Sequence, residues 1–248
     1  MARMIKNLLY AIQTVAIGVW LFVATVTVGS IVILVSFFSR TGNFAHLLAR
    51  FWANSILWAA RAKVTVNGAE KLDPGRSYIY MPNHQSNADI PLLLGRLPVQ
   101  FRWLAKAELF KIPIFGRAMR GVGYISIDRS NRKSAFASLA KAAETIRNGT
   151  SVLIFPEGTR SRDGKILPFK KGGFVLAVDS GVPIVPVIIR GTRESMPKGQ
   201  FSIRPVPVTM DILEPVETSH YTRKTKDALL EKIRSTLIEN YEHQVRDV

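Results

Sequence analysis

The sequence of 248 residues contains no cysteine. Disulfide bridges, metal sites built on thiolates and cysteine nucleophiles are therefore excluded. The absence leaves the cellular compartment open, because a protein of the reducing cytosol does not need the residue. Any acid–base chemistry must come from other side chains, and histidine is present only four times.

Acidic side chains are also scarce. Asp and Glu number 18 against 34 Lys and Arg, which gives a formal net charge of +16. Such a surface attracts polyanions, either nucleic acid or an anionic membrane leaflet. A basic membrane protein that binds nucleic acid is one hypothesis, but the chain lacks an arginine-rich helix and a basic–aromatic binding motif. We therefore expect an anionic membrane as the partner and no nucleic acid.

Charge of either sign is absent from residues 7–39, where the chain reads NLLYAIQTVAIGVWLFVATVTVGSIVILVSFFS. An apolar run of this length is typical of a membrane segment, and it exceeds the roughly 7–15 apolar residues of a cleavable signal peptide. As one helix it would reach about 50 Å, whereas the hydrocarbon core of a bilayer is ~30 Å thick. The helix must therefore tilt, break near Gly29 and Ser30, or lie partly in the interface.

The next stretch, residues 43–63, has apolar side chains at mostly helical spacing with basic residues among them. This pattern fits a helix buried on the following domain and equally a helix on the membrane surface. We interpret residues 1–62 as an N-terminal membrane-binding helical motif, either a single span or a helical hairpin in one leaflet.

After residue 63 short β-like runs alternate with helical patterns, which predicts one α/β domain over residues 63–248 with a mixed sheet flanked by helices. The segment 201–213 alternates but contains two prolines, so it is predicted at a sheet edge. Strands are predicted at 64–67, 78–81, 101–105, 123–127, 152–155 and 184–190, and helices at 134–149, 172–180 and 224–244.

The stretch NHQSNAD places His84 and Asp89 five positions apart. Five steps on a helix rotate the second side chain by roughly 140° from the first, so the pair does not form a helix stripe. The spacing suits a strand-to-helix junction, with His84 on the loop and Asp89 in the first helical turn. In that geometry carboxylate and imidazole meet. A single such spacing also arises by chance, so its neighbours must support it.

A second stretch, FPEGTRS at 155–161, combines a glycine with a carboxylate and a guanidinium. Arg160 offers a planar fork that suits phosphate oxygens, while Glu157 suits a polyol. Taken alone, the stretch also fits an ordinary turn with a surface ion pair. Lys106 and Arg129, taken alone, fit solvated surface charges.

Four stretches together resemble the 1-acyl-sn-glycerol-3-phosphate acyltransferase (lysophosphatidic acid acyltransferase) family, bacterial type. They occur in the family's order: NHQSNAD, the stretch 106–129 with its Ile-Asp-Arg end, FPEGTRS, and VPIVPV at 182–187. The resemblance covers residues 64–213 closely, and the apolar N-terminus also looks like that of bacterial members. It implies the glycerolipid acyltransferase fold and transfer of a fatty acyl group to the 2-hydroxyl of lysophosphatidic acid.

The resemblance gives roles to individual residues. His84 is the expected general base that activates the acceptor hydroxyl, and Asp89 orients the imidazole and stabilises its charged form. Substrate binding is expected from Lys106, Arg129, Glu157, Gly158, Thr159 and Arg160. Arg160 and Lys106 are expected to hold the acceptor phosphate, and Glu157 to bind the glycerol backbone or steady Arg160. Backbone N–H groups near Gly158 and at the helix start after His84 are expected to face the oxyanion.

An acyl thioester arrives activated, so the sequence predicts neither a catalytic metal nor a cofactor, with acyl-CoA or acyl carrier protein as co-substrate. The segment after residue 39 carries 32 basic and 18 acidic residues, hence +14, and is expected to face the cytoplasmic side of the inner membrane. Glycerol 3-phosphate or another lysolipid is an alternative acceptor. A metal-dependent hydrolase is a third hypothesis, but one His and one Asp do not make a ligand set.

Overall fold

The computed structural model describes residues 2–39, 41–128, 130–199 and 202–246. Within these ranges the helices and strands alternate along most of the chain. The strands are β1 (Lys63–Asn67), β2 (Ile79–Pro82), β3 (Phe101–Lys106), β4 (Ile125–Ile127), β5 (Ser151–Leu153), β6 (Ile184–Arg190) and β7 (Pro207–Ile212). The α-helices are α1 (Ala2–Ser36), α2 (Asn43–Ala59), α3 (Asp89–Arg96), α4 (Phe115–Gly121), α5 (Arg132–Arg147), α6 (Gly172–Ser180), α7 (Thr192–Ser195) and α8 (Lys226–Arg246).

The seven strands form one sheet in the order β1-β7-β6-β2-β5-β3-β4. Neighbouring strands are parallel except β6 and β7, which are antiparallel. Helices cover both faces: α2, α3 and α4 share one apolar core with the sheet, and α5, α6 and α8 share the other. The predicted mixed α/β sheet flanked by helices is confirmed, and the carboxyl ends of β2, β3, β5 and β6 lie at one edge, where ligand sites of open α/β sheets form.

The six predicted strands are all present, with ends shifted by one or two residues. The predicted place of segment 201–213 at a sheet edge is wrong. Its strand β7 lies between β1 and β6 and pairs with both. The strand accommodates proline because Pro207 is its first residue, where a missing N–H is tolerated.

Helix α1 runs unbroken through Gly29 and Ser30 as one helix of 35 residues, so of the three alternatives for this segment the break does not occur. Gly29 instead permits close contact with α4, because a Cβ at this position would lie 2.9 Å from Cγ2 of Ile114. By length and apolar composition Leu8–Ser36 is long enough to cross a membrane. Yet Val32 of α1 is buried in the same core as α2, α3 and α4.

Helix α2 is buried on the domain along one side, as one of the two alternatives for residues 43–63 predicts, and it has an exposed apolar side as well. Ala45, His46 and Ala53 are fully buried on the domain. Phe51 and Trp58 lie on the opposite side and are 66% and 77% exposed. Helix α2 thus contributes to the core of the sheet domain. The boundary between a motif at 1–62 and a domain at 63–248 stays a prediction.

Candidate active site

His84 and Asp89 meet at the junction between β2 and α3, as their spacing predicts. The strand ends at Pro82 and the helix begins at Asp89, so His84 lies in the connecting loop. The imidazole Nδ1 lies 2.7 Å from Asp89 Oδ2. This contact engages Nδ1, so Nε2 is the ring nitrogen that it leaves available for proton exchange.

Asp89 is fully buried, and its Oδ2 also accepts hydrogen bonds from the backbone N–H groups of Gln85 and Ser86, at 2.8 and 2.9 Å. The side chain thus lies at the N-terminus of α3, where the positive end of the helix dipole is located. Asp89 Oδ2 therefore holds the loop through two backbone N–H groups and fixes the orientation of the His84 ring through Nδ1.

Two neighbours anchor this loop to the rest of the fold. The side chain of Asn83 donates to the carbonyl of Ile189 in β6 and accepts from its N–H, at 3.0 and 2.7 Å. The hydroxyl of Ser86 donates to the carbonyl of Met196 at 2.7 Å. The junction is thus attached both to the sheet and to the segment that follows β6.

The loop after β5 supplies the other side of the site. The ring of Phe155 stacks on the imidazole of His84 with a centroid distance of 3.7 Å and an interplanar angle of 13°. The N–H of Ser161 donates to the carbonyl of His84 at 2.8 Å. The FPEGTRS stretch and the NHQSNAD stretch therefore lie against each other.

Glu157 joins the two loops from inside. It is 2% exposed, its Oε1 accepts the N–H of His84 at 2.8 Å, and its Oε2 accepts the N–H of Leu167 at 3.0 Å. Burial raises the pKa of Glu157 to about 7 against the effect of these two donors, and the negative Asp89 adds to the rise. Both oxygens accept backbone N–H groups, which gives Glu157 a structural role between the two loops, while its expected contact with glycerol or Arg160 stays a prediction.

The predicted cations Lys106 and Arg160 line a cavity that includes His84, and because Lys106 is exposed and Arg160 half-buried, they mark its mouth. Lys106 at the end of β3, and Gly158, Thr159 and Arg160, all line it. Gly158 has a positive φ of 73°, which suits glycine and turns the loop towards the cavity. Arg129, the remaining predicted residue, lies outside the described residues.

The cavity itself is apolar and has a volume of about 460 Å³. Helix α1 forms one wall, with Val28, Gly29 and Val32, and Ala118 and Met119 of α4 form another. A chamber of this size is typical of small-molecule sites. It extends from the imidazole between the two helices, so the N-terminal helix takes part in the site.

Lys198 is a cation that the sequence did not single out. Its Nζ donates to the backbone carbonyl of Arg160 at 2.5 Å. Its surroundings lower its pKa, first through desolvation and then through the charges of Arg162, Arg160 and Lys106. Lys198 belongs to none of the four motifs, and the segment 192–199 lies near the site only in the folded chain.

No group of three or more His, Asp or Glu side chains suited to a metal ion occurs among the residues that the structure describes. The absence of a metal from the reaction stays a prediction.

Comparisons with known proteins agree with this geometry. A family model described as "Acyltransferase" matches residues 63–190. A 1-acyl-sn-glycerol-3-phosphate acyltransferase of Limnanthes douglasii is 35% identical over 81% of this chain and 70% of its own length. The chain belongs to this acyltransferase family. The human 1-acyl-sn-glycerol-3-phosphate acyltransferase alpha is also similar, with 33% identity over 71% of this chain and 62% of its own.

A solved structure from the same family extends the similarity to the N-terminal helices. The crystal structure of the 1-acyl-sn-glycerophosphate (LPA) acyltransferase PlsC from Thermotoga maritima matches with a TM-score of 0.79 and 32% sequence identity. The match covers 98% of this chain and 97% of that one. The family and fold predicted from the four motifs are confirmed.

Proposed function

We propose that this acyltransferase transfers a fatty acyl group from an acyl thioester to the 2-hydroxyl of lysophosphatidic acid, giving phosphatidic acid for phospholipid synthesis. The observation that carries the proposal is the His84–Asp89 pair at 2.7 Å, which opens on an apolar cavity with Lys106 and Arg160 at its mouth. The names of the relatives and of the PlsC structure point to the same acceptor.

The chemistry requires one base and no protein nucleophile. His84 Nε2 accepts the proton of the acceptor hydroxyl as its oxygen attacks the thioester carbonyl. The tetrahedral intermediate collapses by breaking the C–S bond, and the departing thiolate takes the proton back from the imidazolium. Asp89 stabilises the charged ring between these two transfers. No metal and no cofactor enters the proposed reaction.

The oxyanion of the intermediate requires hydrogen-bond donors. The N–H groups of Gln85 and Ser86 are bonded to Asp89, and that of Gly158 donates to the carbonyl of Phe155. Two further donors of these loops are the N–H groups of Asn87 and Thr159, whose residues line the cavity and which have no acceptor among the described residues. These two amides are the proposed oxyanion donors.

The site offers cations for a phosphate and apolar walls for an acyl chain. A phosphate monoester dianion is matched by the two cations Lys106 and Arg160 at the mouth. The apolar walls between α1 and α4 suit a fatty acyl chain. Glycerol 3-phosphate, the alternative acceptor, has no such chain, and the apolar chamber favours a lysolipid or a long acyl donor.

The contacts of α1 favour a helix that lies in one leaflet over one that spans the bilayer. Its Thr14 hydroxyl accepts the N–H of Ile203 at 3.0 Å, and its Ser36 lies against Gly121. These contacts are separated by about 33 Å of helix at ~1.5 Å per residue, so the domain follows α1 along most of its length. A polar domain does not enter the hydrocarbon core. The outer face of α1 and α2, with Phe22, Phe51 and other exposed apolar side chains, is the proposed membrane surface.

The basic domain is proposed to face the anionic cytoplasmic leaflet of the inner membrane, where acyl-CoA and acyl carrier protein are both available.

The purified full-length chain is to be assayed in vesicles with lysophosphatidic acid and acyl-CoA or acyl carrier protein as donor. We expect phosphatidic acid to form at an unchanged rate with a chelator present. His84→Ala should reduce the rate by about 10²–10⁴-fold. Preferred acylation of glycerol 3-phosphate would refute the assigned acceptor, and a His84→Ala variant with wild-type turnover would refute the mechanism.

A further inference from the structure

The rim of the cavity holds more positive charge than one acceptor phosphate requires. Lys106 and Arg160 line the cavity, whereas Arg162 and Lys198 do not. Lys198 is attached to the loop of Arg160 by the hydrogen bond from its Nζ to the Arg160 carbonyl, 2.5 Å long. Arg162 follows Arg160 by two positions, and it is near enough to Lys198 for its charge to lower the pKa of that lysine. The four cations therefore form one group, an inner pair that lines the cavity and an outer pair that does not.

The outer pair has no anion of the protein to balance it. Asp163, the adjacent carboxylate, accepts with one oxygen from the Ser161 hydroxyl and the Lys165 N–H. Neither Arg162 nor Lys198 forms an ion pair with a carboxylate in the part of the chain that the structure describes. Like charges at short range are unfavourable without a counter-charge. The lowered pKa of Lys198, caused by desolvation and then by Arg162, agrees with this crowding.

We infer that Arg162 and Lys198 form a second anion subsite that binds a phosphate group of the acyl donor, while Lys106 and Arg160 bind the phosphate of the acceptor. The inference rests on the proposed function. It names the chemistry that acyl-CoA and acyl carrier protein share, a thioester on phosphopantetheine.

The location of the two pairs supports this division. The thioester carbonyl must reach His84, and its acyl chain must enter the apolar cavity between α1 and α4. The thiol part of the donor then extends out of the cavity mouth, and its first phosphate lies outside it. A cation that binds this phosphate must therefore lie farther from the cavity than Lys106 and Arg160 do. Arg162, which is exposed, and Lys198, bonded to the Arg160 loop, meet this condition.

The test compares donors with and without phosphate on the full-length enzyme in vesicles. The donors are acyl-CoA, S-acyl-4′-phosphopantetheine and S-acyl-pantetheine, which has no phosphate, and the acceptor is lysophosphatidic acid. The variants are Arg162→Gln, Lys198→Gln, their combination, and Lys198→Arg to restore the charge. Lys141→Gln, an exposed lysine on α5, is the matched control. Arg160→Ala is the reciprocal variant.

Each single substitution should raise the apparent KM for acyl-CoA about threefold to fivefold, and the combination by about tenfold or more, because exposed charge pairs are individually weak. The KM for S-acyl-pantetheine and that for lysophosphatidic acid should stay within about twofold of wild type. Lys198→Arg should recover most of the loss, and Lys141→Gln should show none. Arg160→Ala should raise the acceptor KM instead.

An effect with both phosphorylated donors assigns the subsite to the phosphopantetheine phosphate, and an effect with acyl-CoA alone assigns it to the nucleotide phosphates. Equal loss with S-acyl-pantetheine, a shift confined to the acceptor, or no shift at all would overturn the inference. If the wild-type enzyme does not acylate lysophosphatidic acid, the proposed function itself fails, which is a distinct result.

Discussion

At the scale of single residues, one oxygen atom holds the proposed base and its loop in place. Asp89 Oδ2 accepts from the His84 ring and from two backbone N–H groups of the loop between His84 and the helix. The side chain therefore shapes the loop and supports the base at once. A change that preserves its shape separates these two tasks.

Asp89→Asn keeps one oxygen for the loop amides but loses the charge that stabilises imidazolium. We expect kcat to fall by at least about hundredfold with little change in the apparent KM of either substrate. Steady-state kinetics together with the thermal unfolding midpoint would check this. A variant that unfolds at a much lower temperature and keeps its kcat would show that Asp89 acts only on the fold.

Glu157 gives a pH signature at the same scale. Burial raises its pKa from 4.5 to about 7, so the folded state holds the proton more tightly than the unfolded state. The contribution of Glu157 to stability is therefore full below pH 4.5 and is lost as the pH rises through about 7. Relative to Glu157→Gln, which does not titrate, the unfolding free energy of the wild type should fall by about 3 kcal/mol over this window.

Urea denaturation of both proteins at a pH of about 5 and of about 8 would measure this difference. Parallel pH dependence of the wild type and of Glu157→Gln would mean that the buried carboxyl does not titrate in this range.

At the scale of elements, the crossing of α1 and α4 sets the size of the cavity. Gly29 lines the cavity and lies close to Ile114, so a larger side chain there must enter the chamber or push the helices apart. Gly18 lies on the same helix and has no atom within 4 Å of its Cβ position. The two glycines therefore form a matched pair.

Gly29→Leu should reduce transfer of a long-chain acyl group about tenfold more than transfer of a medium-chain group. The added side chain overpacks the cavity, and the cost of about 1–3 kcal/mol applies only to a chain long enough to reach it. Gly18→Leu should leave the ratio unchanged. Assays with the two acyl donors in competition would give the ratio directly. An equal loss for both chain lengths would place the acyl chain elsewhere.

The sequence predicted the helices, the strands and the His84–Asp89 pair better than it predicted the long-range contacts that hold the loops of the site. Local signals were sufficient for β2, α3 and the His84–Asp89 junction, because strand and helix patterns and a spacing of five residues are properties of neighbouring positions. Long-range contacts have no such signal. The Gln85 side chain donates to the hydroxyl of Tyr241 at 2.9 Å across 156 positions, and Lys198 reaches Arg160 across 38.

The error at β7 has the same origin. Two prolines near a strand are compatible with an edge strand and with the first residue of an inner strand, and only the pairing with β1 and β6 decides between them. The expected contact of Glu157 with glycerol or Arg160 came from the FPEGTRS stretch, which gives no signal for the burial of its carboxyl group. Its burial follows from the packing of two loops that are distant in sequence.

At the scale of the whole molecule, positive charge and an apolar face act together on the membrane. The chain carries +16, and exposed apolar side chains cover the outer sides of α1 and α2. Electrostatic attraction to anionic lipid is screened by salt, whereas apolar insertion is not.

We therefore expect vesicles with anionic lipid to bind the full chain about tenfold or more tightly than zwitterionic vesicles at low ionic strength. Raising the salt to about 1 M should remove most of this difference and leave a residual binding common to both vesicles. Sedimentation with vesicles at several salt concentrations measures it. Binding that is lost completely at high salt would contradict the apolar contribution of α1 and α2.

The pairing of β1 with β7 also determines when the fold is completed during synthesis. β1 ends at Asn67, and its partner strand β7 runs from Pro207 to Ile212, far along the chain. Among the described strands, β1 pairs with β7 alone, so it remains unpaired until β7 has left the ribosome. Helix α1 emerges far earlier and is apolar enough to engage a bilayer by then. Folding is therefore expected to finish on the membrane surface, with β1 unpaired in the nascent chain until the last strand arrives.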